Sequence, residues 1–173
     1  MENRLATKAD LDNIMQLVAQ AKLFMKGIGL DQWQDGYPFP VDFEEDIERG
    51  ECHVFVENGE IAATITVSGI PEQAYGEVYD GAWLTGDIPY AIIHRSTVSD
   101  KFRGRGLGFE LLSFGSEIAK KMGFKTIRVD THADNAPMRA TLEKCGYKHC
   151  GKVYLFGIEQ PRLARVIYEK PLN

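Results

Sequence analysis

Apolar residues recur along this chain with two periods, and the change between them marks the elements. Leu11, Ile14, Met15, Leu17, Val18 and Ala21 stand at helical spacing and predict a helix from about Lys8 to Met25. Thr7 reads as its N-cap with Asp10 capping back, and Gly27 and Gly29 stop it. Ahead of it, Glu2–Thr7 reads as a short edge strand. Val41–Arg49 reads as a short acidic helix. Cys52–Glu57 alternates as a strand, Asn58-Gly59 sits at the centre of a hairpin turn, and Ile61–Ile70 is the return strand. A loop from Pro71 to Pro89 carries Tyr75, Tyr79 and Trp83, and its length marks it as a candidate functional segment. Beyond it the pattern gives a strand at Tyr90–Val98, a helix from about Gly106 to Met122 and a strand at Lys125–Thr131. On that last strand Ile127, Val129 and Thr131 face one way, with Arg128, Asp130 and His132 the other. A helix at Asn135–Cys145 ends at Gly146. The strands Tyr147–Phe156 and Arg162–Glu169 are joined by a turn at residues 157–160. This order predicts one α/β domain over residues 1–173 with a mixed, mostly antiparallel sheet.

Composition changes this picture only by exclusion. Apolar residues make up 44% of the 173, enough for a core. A net charge of −5 argues against a nucleic-acid or anionic-membrane partner and favours neutral or cationic ones. Cys52, Cys145 and Cys150 have no metal-ligand spacing, so no metal is expected and reduced thiols are. No signal-peptide pattern opens the sequence and no apolar run is long enough to span a bilayer, so the expectation is a soluble, cytoplasmic protein.

The candidate chemistry lies between Tyr90 and Tyr147. The strand ending at Val98 runs into Arg103, Gly104, Arg105, Gly106, Leu107 and Gly108, which open a helix. A glycine-rich turn entering a helix is an anion site, because unpaired N–H groups point outward and the helix dipole adds positive charge. No Lys-Ser/Thr follows the glycines, which excludes a Walker A loop. The glycine spacing and the place after a fourth strand exclude a dinucleotide-binding turn. Arg103-x-x-Gly106-x-Gly108 resembles the Q/R-x-x-G-x-G/A pyrophosphate motif of the GNAT superfamily, the Gcn5-related N-acetyltransferases. The sequences around His94, around Asp130 and Asn135, and at Leu142–Tyr147 are similar to a bacterial subgroup of that family.

That resemblance implies a GNAT-like α/β fold with helices on both faces of the sheet, and acetyl transfer from acetyl-CoA to an amine without metal or covalent enzyme intermediate. Ser96, Thr97 and Val98 would hold pantetheine through backbone groups. The turn from Arg103 to Gly108 would hold pyrophosphate, and Asn135 and Met138 would meet the CoA arm. Homodimers are common in the family. In many members a tyrosine immediately precedes the Glu-Lys pair of the helix after Asn135 and acts as general acid. Here that position is Leu142, and the role does not carry over.

Individual residues read in more than one way. His94, on the strand that would present the acetyl group, is a candidate general base or a packed histidine. Asp130 could hold an ammonium group, pair with Arg128 or orient His94. His132 is the alternative base, and Asn135 can cap its helix as well as touch CoA. Arg95 and Arg105 read as surface or phosphate-facing charges. Trp33, Tyr75 and Trp83 suggest a closed pocket and a small-molecule amine, although Trp33 and Tyr37 also suit a plug over the core. A protein or peptide amine, or an acyl-CoA sensor without turnover, are the alternatives.

Overall fold

The computed structural model describes residues 1–173, and the chain divides into two compact units. The first comprises Met1–Val67 and His94–Leu111, the second Ser68–Ile93 and Leu112–Asn173. Seven strands form the sheet: β1 (Glu2–Leu5), β2 (Cys52–Glu57), β3 (Glu60–Ser68), β4 (Ala91–Val98), β5 (Thr126–Thr131), β6 (Lys148–Tyr154) and β7 (Ala164–Pro171). Their order is β1-β2-β3-β4-β5-β7-β6. The helices are α1 (Leu11–Gly27), α2 (Pro40–Glu48), α3 (Leu107–Lys121) and α4 (Ala136–Lys144). The order and type of every long element match the periodicity, with ends shifted by a few residues.

In the first unit β1, β2 and β3 pair antiparallel, with Asn58 (φ 53) and Gly59 (φ 80) in the left-handed region that a tight hairpin needs. A 3-10 turn at Lys8–Asp10 precedes α1, and Thr7 and Asp10 form the expected capping box. Thr7 donates to Asp10 Oδ2 from its N–H (2.7 Å) and its hydroxyl (2.9 Å), while Arg4 grips both oxygens of Asp10 at 2.8 Å. Ile14 and Val18 of α1 pack with Phe43, Cys52 and Val54 in the core of this unit.

Arg95 corrects its expected surface role. Its side chain is 12% exposed and reaches Asp46 of α2, which is fully buried. The guanidinium donates from Nε to Oδ2 and from Nη2 to Oδ1, both at 2.7 Å, and from Nη1 to the Tyr37 hydroxyl at 2.7 Å. Arg49 and Thr66 complete the set around Asp46, at 2.7 and 2.8 Å. Arg95 itself has φ 47 in the middle of β4. A bulky residue in that region costs roughly 1–3 kcal/mol and persists only where its surroundings over-determine it.

In the second unit β4 and β5 pair parallel at Ala91↔Ile127 and Ile92↔Arg128, and β7 pairs antiparallel with β5 and with β6. The long loop is not structureless. It holds a 3-10 turn at Gln73–Gly76, and Tyr79 exchanges two 2.9 Å backbone bonds with Lys152 of β6. Gly81 is required there, because a Cβ would fall on the carbonyl oxygen of Cys150.

Asp46→Ala should lower the unfolding free energy by about 3–5 kcal/mol, since it leaves the Arg95 guanidinium inside without its carboxylate. Urea denaturation checks this, and a loss under about 1 kcal/mol would show that the clamp does not hold β4.

Candidate active site

The first unit holds the anion cradle. After β4, a 3-10 turn at Asp100–Phe102 leads to Arg103, and Gly104 (φ 78) and Gly106 (φ 84) turn the chain into α3. Both glycines need positive φ, and at both the side-chain direction is open space. The N–H groups of Gly104, Gly106, Leu107 and Gly108 have no backbone acceptor outside the helix, and the first helical N–H groups have none within it. The charges around the cradle are largely paired off. Arg103 meets Asp100 at 2.7 Å and lies over the Phe24 ring at 4.0 Å, and Lys101 meets Glu60 at 2.7 Å. Arg105 packs over Phe102 (5.2 Å) with no carboxylate partner. Upstream on β4, Ser96 and Val98 are partly exposed, and the buried Thr97 hydroxyl has no hydrogen-bond partner. Open space beside two glycines, outward amides and an orphaned hydroxyl are the features a pyrophosphate-bearing ligand with an amide-containing arm requires, and the residues present fit one.

His94 precedes the left-handed residue. Burial, with the positive charges of Arg95 and Arg49, pulls its pKa down to about 3. It is therefore a neutral imidazole at neutral pH and a weak proton acceptor. The near-neutral titration that singles out histidine in a sequence has been moved far down by the fold.

The second unit brings Tyr75, Trp83 and Asp130 together. The Tyr75 hydroxyl donates to Asp130 Oδ2 at 2.8 Å, the Trp83 indole donates to the Tyr75 carbonyl at 3.0 Å, and the two rings lie 5.1 Å apart. Burial pushes the Asp130 carboxyl up, partly countered by the Tyr75 hydrogen bond and the charge of Arg165. Asp130 does not pair with Arg128. Arg128 donates to Glu169 at 3.0 Å and lies between the rings of Trp83 (4.1 Å) and Tyr90 (4.0 Å). Glu169, fully buried, also accepts from the N–H groups of Leu84 and Thr85 and the hydroxyls of Thr85 (2.6 Å) and Thr126 (2.9 Å). The pairing across 41 residues has no local sequence signal.

The remaining predicted residues are placed as follows. Trp33 lies in the first unit, edge-on to Tyr37 with centroids 6.4 Å apart, and Tyr75 and Trp83 belong to the second. His132 Nδ1 accepts from the Asp134 N–H at 3.1 Å. Asn135 caps α4 by accepting from the Met138 N–H at 3.2 Å. Leu142 is fully buried. Tyr147, also buried, has its hydroxyl 3.4 Å from Ser116 Oγ and its pKa raised by burial. Tyr154 stands edge-on to Tyr79 at 5.1 Å.

A family model described as the Acetyltransferase (GNAT) family matches residues 14–147. Among curated proteins, the chain is 28% identical over 156 residues to the uncharacterized N-acetyltransferase YesJ of Bacillus subtilis, covering 84% of this chain and 81% of that one. A GNAT-family acetyltransferase crystal structure from Streptococcus agalactiae superposes with a TM-score of 0.86 at 36% identity, covering 99% of this chain and 95% of the other. The YncA acetyltransferase of Salmonella typhimurium, solved with its cofactor acetyl-CoA, shares the fold at a TM-score of 0.71 and 18% identity, over 99% of this chain and 94% of that one.

The depressed pKa of His94 has a stability consequence. Its folded value lies below the unfolded value near 6.5, so the unfolded chain binds the proton first as pH falls. The contribution is complete above about pH 6.5 and is lost between there and about pH 3, at up to about 1.4 kcal/mol per pH unit. His94→Gln should flatten that acid limb in urea titrations from pH 7 to 3.5. Burial also lowers His53, but that residue is common to both proteins and leaves the difference unchanged.

Proposed function

The chain belongs to the GNAT acetyltransferase family, and on that premise we propose that it transfers the acetyl group of acetyl-CoA to the amine of a small molecule by direct attack. The observation that carries this reading is the cradle, with Gly104 and Gly106 open to a ligand and unpaired amides at the start of α3. Members of the family use acetyl-CoA, whose thioester supplies an activated acyl group. The amide N–C bond forms as the C–S bond breaks; of the two protons the ammonium loses, one passes to solvent before attack and the other ends on the departing thiolate, which leaves as the thiol.

Each residue has a separate task in this reading. The amides of Gly104, Gly106, Leu107 and Gly108 and the dipole of α3 bind pyrophosphate, with Arg105 as the nearby cation without a carboxylate. Ser96, Thr97 and Val98 orient the pantetheine arm, and the Thr97 hydroxyl supplies a donor that has no protein partner. Asn135 and Met138, at the start of α4, contact the CoA arm. His94 meets the attacking amine or its water as a neutral hydrogen-bond acceptor. The aromatic residues Tyr75 and Trp83, with Asp130 bonded to the Tyr75 hydroxyl, favour a small amine over a protein amine. A thiolate leaving group needs little help from an acid near neutral pH, since a thiol pKa is about 8.5. Leu142 is then no obstacle, and Tyr147 and Tyr154 need not replace the tyrosine.

Four outcomes are expected. Acetyl-CoA at about 100 times its Kd should stabilise the protein by about 2.7 kcal/mol in thermal unfolding. Gly106→Asp should abolish that gain; no gain in the wild type would overturn the reading. A broad amine screen by thiol release should find turnover; retained acetyl-CoA binding without any turnover would mark a sensor. With the best amine, kcat/KM should keep rising with pH toward the amine's own pKa, because His94 titrates near 3. A plateau starting near pH 6.5 that vanishes in His94→Gln would restore His94 as base. Tyr147→Phe and Tyr154→Phe should each stay within roughly tenfold of wild type, less than the usual loss for a removed acid.

A further inference from the structure

Asp130 is a carboxylate with capacity to spare. Its one protein hydrogen bond comes from the Tyr75 hydroxyl at 2.8 Å, so most of its acceptor sites are unfilled although the residue is half-buried. The charges around it do not neutralise it. Arg128 is committed to Glu169 and to the Gly86 carbonyl (2.7 Å), between Trp83 and Tyr90. Burial raises the Asp130 pKa; Arg165 partly counters this through space, yet forms no ion pair with it. Its Nη1 donates instead to the carbonyls of Arg162 (3.1 Å) and Ala164 (2.8 Å). Glu72 adds further negative charge. Tyr75, whose hydroxyl meets the carboxylate, packs in turn against the half-buried rings of Trp83 (5.1 Å) and Tyr90 (6.1 Å). A carboxylate with unfilled acceptor sites at the edge of an aromatic cluster is the chemistry that recognises an ammonium group on a short methylene chain.

We propose that Asp130, oriented by Tyr75, anchors a second, non-reacting ammonium group of the acceptor, so that the substrate class is a short diamine or polyamine. The proposal rests on the acetyl-transfer reading above. A carboxylate bonded to an ammonium favours the charged form and keeps the proton on nitrogen. A nitrogen held by Asp130 therefore stays a cation and does not attack. The group anchored there is the one that is not acetylated, and the substrate needs another amine for the reaction. The net charge of −5 agrees with a cationic partner.

The test compares 1,4-diaminobutane with 1-aminobutane, which has the same carbon chain and one charge fewer. Thiol release with acetyl-CoA gives kcat/KM for each amine in wild type, Asp130→Asn and Tyr75→Phe. The wild-type ratio of diamine to monoamine should exceed about 30, in the range of a lost charge-assisted contact. Asp130→Asn should bring it within about threefold of one, chiefly through KM for the diamine. Tyr75→Phe keeps the charge but frees the carboxylate, and should lower the ratio at least about threefold. A wild-type ratio near one overturns the proposal. So does a ratio that survives Asp130→Asn, including the case where both amines lose kcat equally, which would make Asp130 the proton acceptor. Should Asp130→Asn fail to fold, the Tyr75→Phe ratio decides. Should neither amine be turned over while the broad amine screen finds another acceptor, the diamine class is overturned; should that screen find none either, acetyl transfer to small amines fails as a reading. The anchor is then tested by titration calorimetry of 1,4-diaminobutane into wild type and Tyr75→Phe: weaker binding in the variant supports it, while equal or absent binding overturns it.

Discussion

One carboxylate fixes the first unit. Asp46 accepts on Oδ1 from Arg49 and Arg95 and on Oδ2 from Arg95 and Thr66. Through those bonds α2, β3 and β4 meet at a single buried point, and Arg95 carries the link on to Tyr37. Two cations on one fully buried anion repay desolvation only when the geometry is good and the remaining lone pairs are filled, as they are here. The same clamp holds Arg95 in the left-handed region, breaking the strand's alternation just before Ser96, Thr97 and Val98. It also supplies the positive charge that, after burial, most depresses His94. The left-handed backbone at Arg95 and part of the depression of the His94 pKa follow from this one contact set.

The second unit has a matching anion, Glu169 on β7. It draws in Arg128 of β5 and the backbone at Leu84 and Thr85. Burial alone would raise its pKa; bonds from Thr85, Arg128 and Thr126 outweigh that and hold it below the usual carboxylate range. The loop that looked long and unstructured is thereby fastened at Glu169 and at the Tyr79–Lys152 bridge. Trp83 and Tyr90 are placed by the cation they enclose, and Tyr75 packs against both.

What the sequence disclosed was local. Helical and strand periods, the Thr7–Asp10 cap, the Asn58-Gly59 turn and the glycine turn into α3 are short-range patterns whose causes lie within a few residues. The long-range anions were hidden for the same reason. Arg95 and Asp46 are 49 residues apart and Arg128 and Glu169 are 41, and neither pair leaves a period or motif. Arg95 therefore read as a surface charge, and Asp130 was offered a partner that Glu169 had taken. His94 was read by its ordinary titration, which only the fold could change. The grouping of Tyr75, Trp83 and Asp130 was half visible, as residue types suited to a pocket but without their contact.

The chain has two tryptophans, and each unit holds one: Trp33 in the first and Trp83 in the second. Their surroundings differ in a way light can read. Trp83 lies against a guanidinium and donates its indole N–H to a carbonyl, whereas Trp33 meets only the edge of Tyr37 among the ring contacts. Replacing either with phenylalanine leaves a single fluorophore reporting on one unit. Emission spectra during unfolding then show whether the two units melt together, without any added label.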